Sequence, residues 1–118
     1  MSKNLDITLL LDFYGDMLSE KQREFISYYY NDDLSLAEIA TDEGITRQGV
    51  RDAIKRGEAQ LVAMEEKLGL VARFEDMKEG LGEIIRLSDE IAEQNSDGDV
   101  EKRADKIGAV ARMLLEEQ

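Results

Sequence analysis

Apolar residues recur every three or four positions almost from one end of this chain to the other, and no proline interrupts them. That period marks helices that bury one stripe. Without proline, nothing removes a backbone donor or forces a kink. The expected fold class is therefore all-α. With 118 residues, the chain suits one compact domain or a small domain with a helical extension. A hydrophobic share of 42% suffices for a core, and 36% charged residues suit helices whose outer faces are solvated.

Leu5, Leu9, Phe13 and Met17 recur at four-residue spacing beside Leu10 and Tyr14, predicting a first helix that ends near Leu18. Ser19 and Gln22 have capping-box spacing and open a second helix, with Phe25, Ile26, Tyr29 and Tyr30 toward the core. Asn31-Asp32-Asp33 ends it, because short polar side chains compete with helical backbone bonding. Ser35 and Glu38 form a second capping box, before a short helix with Leu36, Ile39 and Ala40 inward. Gly44 falls where a helix end needs positive φ. Ile45 is expected as a buried plug and Thr46 as the N-cap of the next helix. That helix puts Val50, Ile54, Gly57, Leu61 and Met64 on one face and can run to Gly69.

Beyond Gly69, two segments repeat a 4-3 pattern on either side of the turn Asn95-Ser96-Asp97-Gly98. The first is Phe74, Met77, Leu81, Ile84, Ser88 and Ile91; the second is Val100, Ala104, Ile107, Ala111 and Leu114. They predict C-terminal helices forming a helical hairpin, able to pair with each other, with the N-terminal core or with a second copy. The expected division is a helix-turn-helix domain over 1–70 and a C-terminal helical extension over 71–118, a candidate dimerisation element.

The chain contains neither cysteine nor histidine. Disulfides, zinc sites of nitrogen and sulfur ligands, and Ser-His or Cys-His nucleophiles are excluded. There is no glycine-rich phosphate loop. No catalytic residue, cofactor, metal site or small-molecule substrate is expected, and the protein reads as not an enzyme. Asp97, Asp99 and Glu101 lack the spacing of a twelve-residue calcium loop and read as a solvated turn with an N-cap. Consecutive helical residues point about 100° apart, so Tyr28-Tyr29-Tyr30 cannot form one stacking surface. Two of them are expected in the core and one outside. The apolar run Thr8 to Leu11 is too short for a secretory signal and is flanked by Asp6 and Asp12. No run approaches the roughly 20 residues that span a bilayer. A cytoplasmic protein without membrane insertion is expected.

Residues 34 to 56 carry the functional information. Ala40 is small where two helices must cross, Gly44 sits in the turn, Ile45 and Val50 supply the wedge, and Thr46 caps the second helix. Together, in this order, they specify a helix-turn-helix. The chain's formal charge is −12, yet residues 46 to 56 hold four basic residues and one acidic residue, a local +3 against −15 for the remainder. Arg47, Arg51 and Lys55 share one stripe at i, i+4 spacing. The candidate nucleic-acid-binding set is Thr46, Arg47, Gln48, Arg51, Lys55 and Arg56. Gln48 can pair with adenine and Arg47 or Arg51 with guanine, whereas Asp52 would repel phosphate or accept from cytosine. The alternative is a stripe of internal ion pairs, each worth about 0–1 kcal/mol, in a helix-turn-helix used only for packing.

The stretch Leu18 to Leu70 resembles the YlxM family of helix-turn-helix proteins from low-GC Gram-positive bacteria. The residues that carry the resemblance are Leu18-Ser19-Glu20-Lys21-Gln22, Tyr28-Tyr29-Tyr30-Asn31-Asp32-Asp33, Ser35-Leu36-Ala37-Glu38-Ile39-Ala40, Gly44-Ile45-Thr46-Arg47-Gln48-Gly49-Val50 and Ile54-Lys55-Arg56. The same region is similar to the promoter-reading C-terminal domain of bacterial sigma factors. The resemblance implies a sigma region 4-like fold extended by C-terminal helices. It also implies a regulatory role in the signal recognition particle pathway, because the family's genes tend to lie beside that of the particle's GTPase. Its DNA-reading positions fall on Arg47, Gln48 and Arg51, with Lys55 and Arg56 near the backbone. Gly49 and Gly57 depart from the pattern, each costing the helix about 1 kcal/mol relative to alanine, and so does Asp52. The function expected is a non-enzymatic regulator connected to signal recognition particle components through protein or ribonucleoprotein contacts. The alternative is a DNA-binding transcription regulator acting as a homodimer.

Overall fold

A computed structural model of the chain describes residues 6–117. Six α-helices and one short 3-10 turn follow one another, with no strand among the described residues. α1 spans Ile7–Tyr14, α2 Glu20–Tyr30, α3 Leu36–Glu43, α4 Arg47–Leu68, α5 Leu70–Gln94 and α6 Gly98–Glu116. The residues group into two compact units, one ending at Val71 and the other beginning at Ala72.

In the first unit the punctuation is local and chemical. The Asp6 carboxylate caps α1 by accepting from Thr8 N at 3.0 Å. Complete capping boxes start α2 at Ser19 and Gln22, and α3 at Ser35 and Glu38. α3 ends on Gly44 at φ +70° and α4 on Gly69 at φ +63°, backbone geometry that glycine enters without a Cβ penalty. α4 is the spine, presenting Val50, Ile54, Gly57 and Leu61 to a core filled by Ile7, Leu10, Leu11, Tyr14, Phe25, Ile26 and Ile39.

Three expectations are corrected here. The first helix stops at Tyr14 and continues as the 3-10 turn Gly15–Met17, so its buried stripe is Ile7, Leu10, Leu11 and Tyr14. Met17 is 69% exposed, and Leu5 lies outside the described residues. A segment with apolar residues on every side does not fix its own phase; the partner helices choose it. Two of the three tyrosines do pack on the core, but they are Tyr28 and Tyr30, while Tyr29 is exposed. Ile45 is not a buried plug. It is 44% exposed, because the turn that bonds Ile45 N to Ala40 O lifts its side chain to the surface, over Gly49.

Gly57 has a role its position in the sequence does not reveal. A Cβ there would stand 2.5 Å from Ile26 Cδ1, whose residue is fully buried. The glycine lets α2 and α4 approach, so its helix-propensity cost goes with a gain in packing.

In the second unit, α5 and α6 form the expected hairpin about the turn at 95–97. Asp97 caps α6, accepting from Asp99 N at 2.9 Å. The seam is made of small residues: Ser88 on α5, and Ala104, Gly108 and Ala111 on α6. A Cβ on Gly108 would meet Ser88 Oγ at 2.7 Å. Arg112 closes one edge, with a two-pronged contact to Asp89 at 2.7 and 2.9 Å. Met77, Ile84, Ile91, Ile107 and Leu114, expected in the seam, lie at 40–53% exposure instead. Close approach over small residues leaves no room for them between the two helices.

Candidate nucleic-acid interface

The helix-turn-helix is built from α3, the turn Gly44–Thr46 and the first half of α4. Thr46 Oγ1 accepts from Gly49 N at 2.9 Å, fixing where α4 begins. That start sets the rotation of everything after it. Val50 and Ile54 turn inward and are buried; Arg47, Gln48, Arg51, Lys55 and Arg56 turn outward and are exposed. Of the six sequence-selected residues, Thr46 caps α4 and the five from Arg47 onward project from its first half.

The charge pattern separates the two readings of the basic stripe. The ion pairs among the described residues involve Lys21, Arg23, Arg86 and Arg112. Among the described residues, Arg47, Arg51, Lys55 and Arg56 have no carboxylate within ion-pair distance. The internal ion-pair alternative therefore fails on this helix. Four cations stand in solvent, over a range comparable to the Debye length of about 8 Å, so carboxylates further away do not cancel them.

Asp52, which looked out of place in a basic stripe, has a partner. Gln48 Nε2 donates to Asp52 Oδ1 at 2.8 Å, one turn along the helix. The amide keeps its second N–H and its carbonyl oxygen, the pair of groups that an adenine edge requires. Asp52 therefore orients Gln48. The i, i+4 spacing could have disclosed this, since Gln and Asp at that interval hydrogen-bond on isolated helices.

Tyr29 is the site residue that sequence reasoning placed wrongly. With Tyr30, Leu36, Arg51, Ile54, Lys55 and Glu58 it lines a shallow cleft beside the basic stripe. Tyr30 meets it edge-on at 5.1 Å between ring centroids, and the Tyr30 hydroxyl donates to Glu58. Burial, then the Glu58 carboxylate, pushes the Tyr30 phenol above its usual range. α3 ends with Asp42 and Glu43, the latter held by Lys21 at 3.0 Å. No cluster of His, Cys, Asp or Glu among the described residues is arranged to hold a metal ion. No helix among them is long and apolar enough to cross a membrane.

Fold and site together define a helix-turn-helix protein with an unneutralised cationic face on its second helix. Residues 1–107 match the model of the UPF0122 family, described as "Putative helix-turn-helix protein, YlxM / p13 like", and the chain belongs to that family. Similar proteins carry the same family title. A UPF0122 protein of Desulforamulus reducens is 41% identical over 112 residues, covering 95% of this chain and 92% of the relative. One from Acetivibrio thermocellus is 51% identical over 86 residues, 73% of this chain and 74% of the relative. UPF0122 protein BH2485 of Halalkalibacterium halodurans is 47% identical over 92 residues, 78% and 84% respectively.

Proposed function

We propose that this protein is a non-enzymatic cytoplasmic regulator that binds DNA through the first half of α4, as a homodimer. The observation that carries the reading is the set of four cations, Arg47, Arg51, Lys55 and Arg56, exposed on one helical half without carboxylate partners among the described residues. In a chain of net charge −12, a concentration of free positive charge on the second helix of a helix-turn-helix suits phosphate, with Gln48 and the arginines at base edges. The sigma region 4 resemblance assigns the same residues.

The test is binding to mixed double-stranded DNA across a salt series. Four phosphate contacts per copy, eight for the homodimer, give a slope of about −7 in log K against log salt, roughly a 20,000-fold loss between 50 and 200 mM. Arg47→Glu with Arg51→Glu leaves two contacts per copy and should at least halve the slope. A wild-type slope shallower than −1 sinks the DNA reading.

A second reading is favoured by the exposed Tyr29 beside Arg51 and Lys55. One aromatic face next to two cations suits an unpaired RNA base stacked against the phosphate-binding stripe. That would fit the connection to the signal recognition particle pathway that the family resemblance implies, with the particle's RNA as ligand. Tyr29→Ala should then weaken binding to that RNA at least fivefold and leave duplex DNA binding unchanged. Equal effects on both ligands argue for DNA alone.

A further inference from the structure

Small residues fill the seam of the α5–α6 hairpin, and this leaves long apolar side chains outside it. Ile84, Leu87 and Ile91 on α5, with Ile107 and Val110 on α6, are each 42–53% exposed. Helical spacing puts them on one side of the hairpin, opposite the edge closed by Arg112 and Asp89. Between them runs an apolar groove whose lining includes Leu81, Ile84, Ile107 and Ala111, with Arg103 and Lys106 on its α6 rim.

The geometry points to this face as the surface on which a second copy of the chain docks, the two hairpins forming a four-helix bundle. Three observations favour that occupant. The first is continuity: five long apolar side chains, each 42–53% exposed, lie together on one side of the hairpin, whereas apolar residues on an ordinary monomer surface are scattered singly. The second is charge. Asp76, Glu83 and Glu90 recur every seven residues along the α5 edge, where Arg86 pairs with the last two and leaves the row two charges negative, while Arg103 and Lys106 stand on the α6 edge with no ion pair among the described residues. A twofold axis that lays α5 of one copy against α6 of the other sets acid against base twice, so the face is self-complementary. The third is overall sign. Residues 72–118 hold thirteen acidic and seven basic side chains, net −6, which disfavours an anionic lipid surface or nucleic acid at this face.

This inference supplies the surface for the dimer in the function proposed above, and its test is independent of nucleic acid. Sedimentation of the full chain should give twice the 13.4 kDa protomer at micromolar concentration. Ile107→Glu should raise the dimer dissociation constant at least a hundredfold without loss of helical circular dichroism. Because that variant can perturb the hairpin, a charge exchange is decisive. Arg103→Glu with Lys106→Glu, and separately Asp76→Lys with Glu83→Lys, should each be monomeric alone. Mixed in equal amounts, they should form a heterodimer. Wild type that stays monomeric at 100 µM, or variants that fail to pair on mixing, overturns the proposal. DNA binding by the monomeric variants, with the slope of one copy, would leave the α4 reading standing; its loss in a wild-type dimer would leave only this one.

Discussion

Gly57→Ala is the most instructive change in this protein, because two well-known effects oppose each other there. On an exposed helix the substitution stabilises by about 1 kcal/mol. Here the added methyl lies 2.5 Å from Ile26 Cδ1, while its next contacts, Gln22 Cβ at 3.5 Å and Ile26 Cγ1 at 3.6 Å, are ordinary. One atom is therefore responsible. Ile26 is fully buried in a close-packed core, so its terminal methyl can leave only by an off-rotamer turn or by a shift of α2 against α4. Overpacking of this kind costs about 1–3 kcal/mol, so the net change is a loss of about 0–2 kcal/mol. Ile26→Val removes the offending atom and by itself costs about 0.5–1.5 kcal/mol. In the double variant the clash is gone and the propensity gain survives. The cycle should therefore show favourable coupling of about 1 kcal/mol or more. Urea unfolding of the four proteins, followed by circular dichroism, measures this. If Gly57→Ala alone stabilises by the full propensity increment, or the two changes are additive, the close approach of α2 and α4 is not what holds glycine at this position.

Four further outcomes follow from the same geometry. Gly44→Ala forces a Cβ into φ +70° and should cost about 1–2 kcal/mol, whereas Gly80→Ala, mid-helix with open space around it, should stabilise by up to about 1 kcal/mol; thermal melts compare them. Tyr14→Phe removes a buried hydroxyl that donates to Glu65 and accepts from Leu70 N, and should cost about 1–3 kcal/mol in the same assay. The Thr8 hydroxyl holds Asp6, and the Ser35 backbone N–H holds Glu38, below the usual carboxylate range. Their contribution is complete above about pH 4 and fades below it, so Asp6→Asn with Glu38→Gln should flatten the acid limb of a stability–pH profile. Burial, then the neighbouring glutamates, pushes the phenols of Tyr14 and Tyr30 up. That stability is present below about pH 10 and lost above it, so Tyr14→Phe with Tyr30→Phe should blunt alkaline destabilisation.

What could be read from the residues alone was what short-range chemistry decides. Ser19, Ser35 and Thr46 start helices because their hydroxyls reach a backbone N–H three residues on. Gly44 and Gly69 end helices because they accept positive φ. The exposure of Arg47, Gln48, Arg51, Lys55 and Arg56 followed from Thr46 fixing the phase of α4 and Val50 and Ile54 filling the core side. What could not be read depends on partners far along the chain. The face of α1 was settled by the helices it meets, and the reason for Gly57 stands on another helix at Ile26. In the hairpin the 4-3 repeat was present, but the spacing does not say whether small or large members face inward; Ser88 against Gly108 does. The lack of ion partners for the α4 cations is likewise a property of three-dimensional distance.

The junction at Gly69 has a practical consequence for anyone dividing the chain. The first two residues of α5 belong to the first unit and are held within it: Leu70 N donates to the Tyr14 hydroxyl at 3.1 Å, and Val71 N to Glu65 Oε1 at 3.0 Å. A fragment cut at the glycine, the obvious place by eye, would strip a buried phenol and a carboxylate of two amide donors and add a terminal carboxylate of the wrong sign beside them. The smallest autonomous N-terminal piece should keep the opening turn of the following helix, and shorter versions should be recovered as insoluble or partly unfolded material.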